Sequence, residues 1–227
     1  MWNARAWDSP SYNEMASESY PAADGRPLVL ALVETIETNR AYLSEVDGAI
    51  GDGDHGINMS KGFAIAKTRL GDQSISVSDG LALIGKTLMT EIGGAIGPIY
   101  GTLFIQMSLQ AKNKPAIDAE VFGAMLAAAR KAVEDLGGAK PGDKTIMDTL
   151  VPAQEKYQSA IGSGSDFVQA LRQMADAAEK GKESTRDLVA KLGRASRLGE
   201  RSRGTLDAGA TSCALILGTF AKVLSGS

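Results

Sequence analysis

Aromatic side chains make up only 5% of this 227-residue sequence, and cysteine occurs once, at Cys213. A lone cysteine forms no internal disulfide, so the fold must rest on its core, and it suits a reducing, cytoplasmic setting. A single domain of this length hides roughly 70–75% of its unfolded surface, enough for that purpose. Long apolar runs are missing too. Gly, Thr or a charged residue interrupts each one well short of the roughly 20 residues that span a bilayer, so no membrane segment is expected. Nor is there an excess of positive charge. Lys and Arg number 24 against 27 Asp and Glu, a net charge of −3, which gives no case for nucleic acid as a partner. Period-two alternation of apolar residues is absent, so no strands are expected.

What the sequence does hold is glycine, 26 residues of it, gathered in clusters. Residues 1–26 stand apart from the rest. They carry both tryptophans (Trp2, Trp7), Tyr12, Tyr20, Pro10 and Pro21 without a helical period. The basic start and apolar stretch of a signal peptide are lacking. This segment reads either as a loosely attached extension or as an arm that packs on its own domain or on a second copy, giving self-association. Residues 27–227 form one domain. Leu28, Leu32, Ile36, Leu43 and Val46 mark the apolar face of a first helix opening at Pro27. Further helices are expected over about 57–70, 78–92, 98–111, 118–136, 145–161, 166–181, 185–196 and 208–224. Ser78–Asp79 and Asp118 read as capped helix starts, and Pro98 and Pro152 as residues near helix starts. The fold class is therefore all-α, a bundle of about eight helices with glycine-rich connections.

Between the first two helices runs Asp47-Gly-Ala-Ile-Gly-Asp52-Gly-Asp54-His55-Gly56-Ile57-Asn58. Three aspartates lie within eight residues, and no Lys or Arg falls between them. Two carboxylates about 4 Å apart repel by roughly 1 kcal/mol in water and about 4 kcal/mol at an effective dielectric near 20. Such a loop either holds a cation or is an acidic turn without a ligand. Oxygen-only ligation suits Mg²⁺, which shares itself with substrate phosphates. A single histidine makes no zinc site. Gly51-x-Gly53-x-x-Gly56 matches the dinucleotide fingerprint formally, but a helix precedes it and Asp52 and Asp54 would repel a bare pyrophosphate. A calcium loop fails because Ile57 stands where glycine is required and Phe63 where the closing glutamate belongs. No Walker-type lysine loop occurs. What remains is a carboxylate cluster leading into a helix N-terminus at Gly56–Asn58, where free N–H groups receive phosphate oxygens.

Other segments are weaker alone. Gly93-Gly-Ala-Ile-Gly-Pro98 is a flexible loop that either admits a ligand or simply turns between helices. Eight basic residues lie between Lys180 and Arg203 against Glu183, Asp187 and Glu200, forming either a solvated face or a positive rim for a phosphorylated ligand.

Taken in order, Gly51–Asn58, Gly93–Gly101, Lys140-Pro-Gly-Asp-Lys-Thr145 and Gly193–Gly204 resemble the DhaL family, the nucleotide-binding L subunits of dihydroxyacetone kinases. The likeness runs from about residue 28 to the end. It implies an antiparallel barrel of eight amphipathic helices with the nucleotide, ADP or ATP, at one end. It also implies that Asp47, Asp52 and Asp54 hold two Mg²⁺ ions bridging the phosphates. His55, Gly56, Ile57, Asn58, Ala95 and Ile96 would line the phosphate side. Gly137, Ile146, Arg194 and the Asp207-Ala208-Gly209 turn would complete the nucleotide pocket. The implied partners are a K subunit that holds the ketose and, in one variant, a phosphotransferase-system M subunit that rephosphorylates bound ADP. In another variant ATP exchanges freely, and related L subunits serve kinases of four-carbon ketoses; the alternative from a different class is a nucleotide-dependent regulatory module without turnover. Two positions depart from the family. Ile96 replaces a usual serine, and Ala208 replaces the proline of an Asp-Pro-Gly turn.

Overall fold

The first apolar stripe folds as two helices, not one. In the computed structural model, which describes residues 18–226, α1 (Gly25–Thr38) and α2 (Arg40–Gly48) part at Asn39. Asn39 leaves helical geometry at φ −93° and ψ 9°, and its Nδ2 and its main-chain N–H both donate to the Thr35 carbonyl at 2.8 and 3.2 Å. An asparagine side chain that competes for a main-chain carbonyl breaks a helix without disturbing its apolar period. Pro27 sits in the first turn of α1, where its missing N–H costs nothing.

Seven more helices follow: α3 (His55–Leu70), α4 (Val77–Glu91), α5 (Ile96–Ala111), α6 (Ala119–Gly137), α7 (Met147–Gly162), α8 (Phe167–Ser184) and α9 (Ala208–Leu224). The helix expected over 185–196 does not form. That basic stretch holds short 3₁₀ turns at Thr185–Asp187 and Arg194–Ser202, because Gly193 and Gly199 take positive φ and few apolar residues face the core. The cap of α4 is Ser76, whose Oγ accepts from Asp79 N at 3.0 Å; Ser78 instead is buried and donates to the Ser108 carbonyl at 3.0 Å. Asp118 caps α6 as expected, accepting from Val121 N at 2.9 Å.

Pro152 lies inside α7 rather than near its start. Its missing N–H frees the Asp148 carbonyl, and α8 closes on that spot at Gly181, where a Cβ would come within 2.3 Å of the oxygen. Against the expectation of no strands, Ser19–Pro21 (β1) pairs antiparallel with Ala116–Asp118 (β2), Tyr20 opposite Ile117. Three-residue strands are too short for a period to register. Gly25 N also donates to Ile75 O and Val77 N to Ala22 O, both at 2.8 Å, so the chain is tied to the domain from Ser19 onward. Residues 1–17, with both tryptophans and the larger part of the expected 1–26 extension, lie outside the described residues.

Each helix from α3 to α9 packs on the next, and α9 returns to α1, which lies on α3. The eight long helices thus close a ring around one core, with α2 as a short brace between α1 and α3. Edge-on aromatic pairs fill it: Phe63 with Phe104 at 5.8 Å, and Phe122 with Tyr157 at 5.3 Å. Among the described residues no helix is long and apolar enough to cross a membrane.

Candidate functional site

At one end of the ring α2 runs out and the chain doubles back into α3. Ile50 N and Gly51 N both donate to the Asp47 carbonyl, at 3.1 and 2.5 Å, and the buried Ile50 side chain pins the turn. Gly53 takes φ +75°, a left-handed conformation that favours glycine. A Cβ on Gly51 would stand 2.3 Å from Asp47 Oδ1, so glycine keeps that carboxylate free to face the loop. One carboxylate oxygen from each of Asp47, Asp52 and Asp54 lies within 4.8 Å of the others. Asp47 Oδ2 also accepts from His55 N at 3.3 Å. The positive partner comes from far along the chain: Arg194 pairs with Asp52 and reaches Asp54 at 3.9 Å. One guanidinium against three carboxylates leaves the cluster net negative. The donors are oxygen only and partly exposed, a set that fits a hard divalent cation such as Mg²⁺.

Behind the carboxylates, helix N-termini converge. His55, the first residue of α3, is buried, and its Nε2 lies 2.9 Å from Ser212 Oγ in α9. Tyr100 of α5 shares the same hydroxyl at 2.5 Å and donates to Gly209 O at 2.9 Å. Thr149 of α7 donates to Ala210 O at 3.1 Å. The opening turns of α3, α5, α7 and α9 are thereby bolted together, and their partial positive ends sum at one place. Burial pushes the His55 imidazole down to about 4, against the pull of Asp47, so the ring is a neutral part of this network. His55 therefore brings main-chain N–H to the site, while its side chain points inward.

Asp207 caps α9, accepting from Ala210 N at 2.7 Å, and its own N–H donates to Thr185 Oγ1 at 3.0 Å. Burial pushes its carboxyl up to about 6, with Asp148 and Asp47 adding to the shift. Ala208 is the buried first residue of α9, the position where proline is also favoured, so the departure from proline leaves the turn intact. Gly209 packs on the start of α7, with the position of a Cβ 3.6 Å from Ile146 N.

Ile57 is exposed and Asn58 half-buried in the first turn of α3. Ala95 is exposed at the head of α5, and Ile96, half-buried, packs on the core. Gly56 has a second task. A Cβ there would meet Arg40 O at 2.0 Å, so glycine lets α3 press against α2. Gly137 ends α6 in the open, with nothing within 4 Å of where its Cβ would be.

Several residues beside the site carry no sequence signal of their own: Tyr100, Thr149 and Ser212, and Asp148 in α7. Asp148 takes Gly142 N at 2.5 Å and Thr145 N at 2.7 Å, shaping the Lys140–Thr145 turn. The basic run is largely neutralised. Lys182 pairs with Glu179 and Glu183, Arg186 with Glu183, Lys191 with Asp143 and Arg203 with Glu200. A groove of about 540 Å³ between α7 and α8, lined by Pro141, Asp148, Val151, Pro152, Gly181 and Leu188, does not include Asp47, Asp52 or Asp54.

Residues 49–222 match the DAK2 domain. The chain is 37% identical over 193 residues to the ADP-binding subunit DhaL of a PEP-dependent dihydroxyacetone kinase 2 from Listeria innocua, covering 83% of this chain and 88% of that one. It is 35% identical over 201 residues to a D-erythrulose kinase of Mycolicibacterium smegmatis, covering 86% of this chain but 34% of the larger protein. In fold it resembles the dihydroxyacetone kinase of C. freundii solved with AMP-PNP and Mg²⁺, with a TM-score of 0.64 at 23% identity over 98% of this chain and 38% of that one.

Proposed function

Because the chain belongs to the DAK2-domain family, with the DhaL subunits of dihydroxyacetone kinases, we propose that it is the nucleotide-binding subunit of a ketose kinase. The observation that carries this reading is the meeting of four helix N-termini behind three clustered carboxylates. Carboxylates alone would repel a polyphosphate, and helix ends alone would bind any anion. Together they favour a phosphate chain that arrives with its cation.

In this reading Asp47, Asp52 and Asp54 hold two Mg²⁺ ions. When bound, Mg²⁺ supplies charge neutralisation at the phosphate oxygens. The N–H groups opening α3, from Gly56 to Asn58, and those of Ala95 and Ile96 hold phosphate oxygens in place. Ile96 supports this through its main chain alone, since it lacks the hydroxyl usual in the family. Arg194 moves from the carboxylates to the phosphates, exchanging one set of anionic partners for another. Ile146, Gly137 and the Asp207–Gly209 turn line the nucleoside side. Phosphoryl transfer asks for positioning and electrostatics rather than covalent chemistry, and those are what these residues provide. The ketose, its activation and any general base belong to a K-type partner subunit.

The naming of relatives as PEP-dependent and ADP-binding favours a bound ADP that an M-type phosphotransferase protein recharges. A second reading, an ATP-exchanging subunit for a four-carbon ketose, is favoured by the D-erythrulose kinase match. Mixing the chain with each K-type subunit and assaying transfer to dihydroxyacetone and to erythrulose separates them. The metal assignment is tested by calorimetry on Asp54→Ala. Loss of Mg²⁺-dependent ADP binding is expected, and wild-type affinity in that variant would overturn the assignment.

A further inference from the structure

The turn at 141–146 carries a side chain that the proposed chemistry leaves unused. Lys144 is 2% exposed, yet it is a lysine, and its φ is +61°, a region that residues with a Cβ seldom enter. A buried ammonium in a strained backbone persists only where its surroundings over-determine it. Its Nζ donates to two main-chain carbonyls, Thr185 O at 2.6 Å and Thr205 O at 2.5 Å. Burial works against the charge on Lys144, and the nearby Asp207 carboxylate supports it.

Those two threonines stand at the two ends of the segment that bears Arg194. The ends are also tied to each other, Gly204 N to Arg186 O at 2.7 Å and Ala190 N to Ser202 Oγ at 2.9 Å. Farther out, Lys191 is held to Asp143, the neighbour of Lys144, through both its main-chain N–H at 3.1 Å and its Nζ at 3.2 Å. Arg194 follows three residues later and projects onto Asp52 and Asp54. The arginine is thus exposed and long, but the base of its segment is fixed by one buried cation reaching across from another turn.

We propose that Lys144 is a positioning residue for the phosphate site: by bonding both ends of the 185–205 segment it fixes where Arg194 meets the carboxylate cluster and, in turn, the nucleotide. The second half of this inference rests on the nucleotide reading above, whereas the clamp itself does not.

The experiment has two arms, both on the full chain, with helix content followed by circular dichroism. In the first, trypsin cleavage after Arg194, Arg197 and Arg201 is timed in wild type, Lys144→Met and Lys144→Arg. Lys144→Met is expected to speed cleavage at these sites by about tenfold or more while leaving the α8 site at Arg172 unchanged, and Lys144→Arg to restore most of the protection. Should the Met variant lose its helices, Lys144→Gln, which keeps a donor for one carbonyl, takes its place with the same expected direction. Unchanged protection in every folded variant overturns the clamp. In the second arm, ADP affinity with Mg²⁺ is measured for Lys144→Met in the wild-type and the Arg194→Ala backgrounds. A loss of about tenfold in the first background and none in the second is expected of a residue that acts through Arg194. Equal losses in both overturn that role and leave Lys144 as scaffolding. If Arg194→Ala alone binds like wild type, the nucleotide reading of Arg194 fails, and the cleavage arm still decides the clamp.

Discussion

Asp207 must serve two ends at once. As the cap of α9 it has to accept from Ala210 N, and as a carboxylate it sits in a poorly solvated corner near Asp148 and Asp47. Its pKa of about 6 in the folded protein lies above the ordinary 3.8, so the folded state binds the proton more tightly than the unfolded chain. The resulting stabilisation is complete below pH 3.8 and is lost as pH rises through 6. Asp207→Asn keeps the acceptor and removes the charge. It is expected to match wild type near pH 4 and to exceed it by about 1–3 kcal/mol at pH 8, read from denaturant midpoints at the two values. Ser212→Ala makes the opposite case. It leaves the buried His55 Nε2 without its partner, while the Tyr100 hydroxyl keeps Gly209 O, and is expected to cost about 1–3 kcal/mol in the same measurement. The place of His55 at a helix opening beside the carboxylates was legible from its neighbours in sequence. The inward turn of its ring was not, because Ser212 lies 157 residues away.

At the scale of elements, apolar period and caps located most helices to within a few residues, and Asp118 marked its helix start correctly. The misses have specific causes. Asn39 interrupts a helix while leaving its stripe intact. Pro152 was expected in the opening turn of the helix over 145–161, but the carboxylate of Asp148 gathers the preceding turn, the helix opens at Met147, and the proline falls in its second turn. The three carboxylates were legible as a cluster, while Arg194 as their counter-ion needed the fold. Glycine clusters proved to mix tasks. Gly97 is required by packing, since a Cβ would lie 2.1 Å from Ile92 O, whereas Gly93 has open space around it. Gly56→Ala tests the same point at the α2–α3 crossing. With a backbone oxygen 2.0 Å from the new methyl, the helices must part, and a loss of about 1–3 kcal/mol is expected together with weaker Mg²⁺-dependent ADP binding. A thermal melt with and without Mg²⁺ and ADP checks both effects.

Over the whole molecule, the candidate site draws on positions from Asp47 to Ser212, so it exists only when the ring is complete. A ligand bound at such a place stabilises every helix that contributes to it. If ADP is a resident coenzyme, the chain purified and extensively desalted is expected to release close to one equivalent of ADP on denaturation. An empty protein that binds ATP and Mg²⁺ reversibly would support free exchange instead. The ring has one more consequence, for synthesis. Its closing contact joins α1 to α9, with Thr35 Oγ1 and Thr219 Oγ1 2.8 Å apart. A ribosome adding about 5–20 residues per second delivers α9 on the order of 10–40 s after α1. Throughout that interval the face of α1 that carries Thr35 waits without α9, so the nascent chain carries an open seam that the finished protein no longer has.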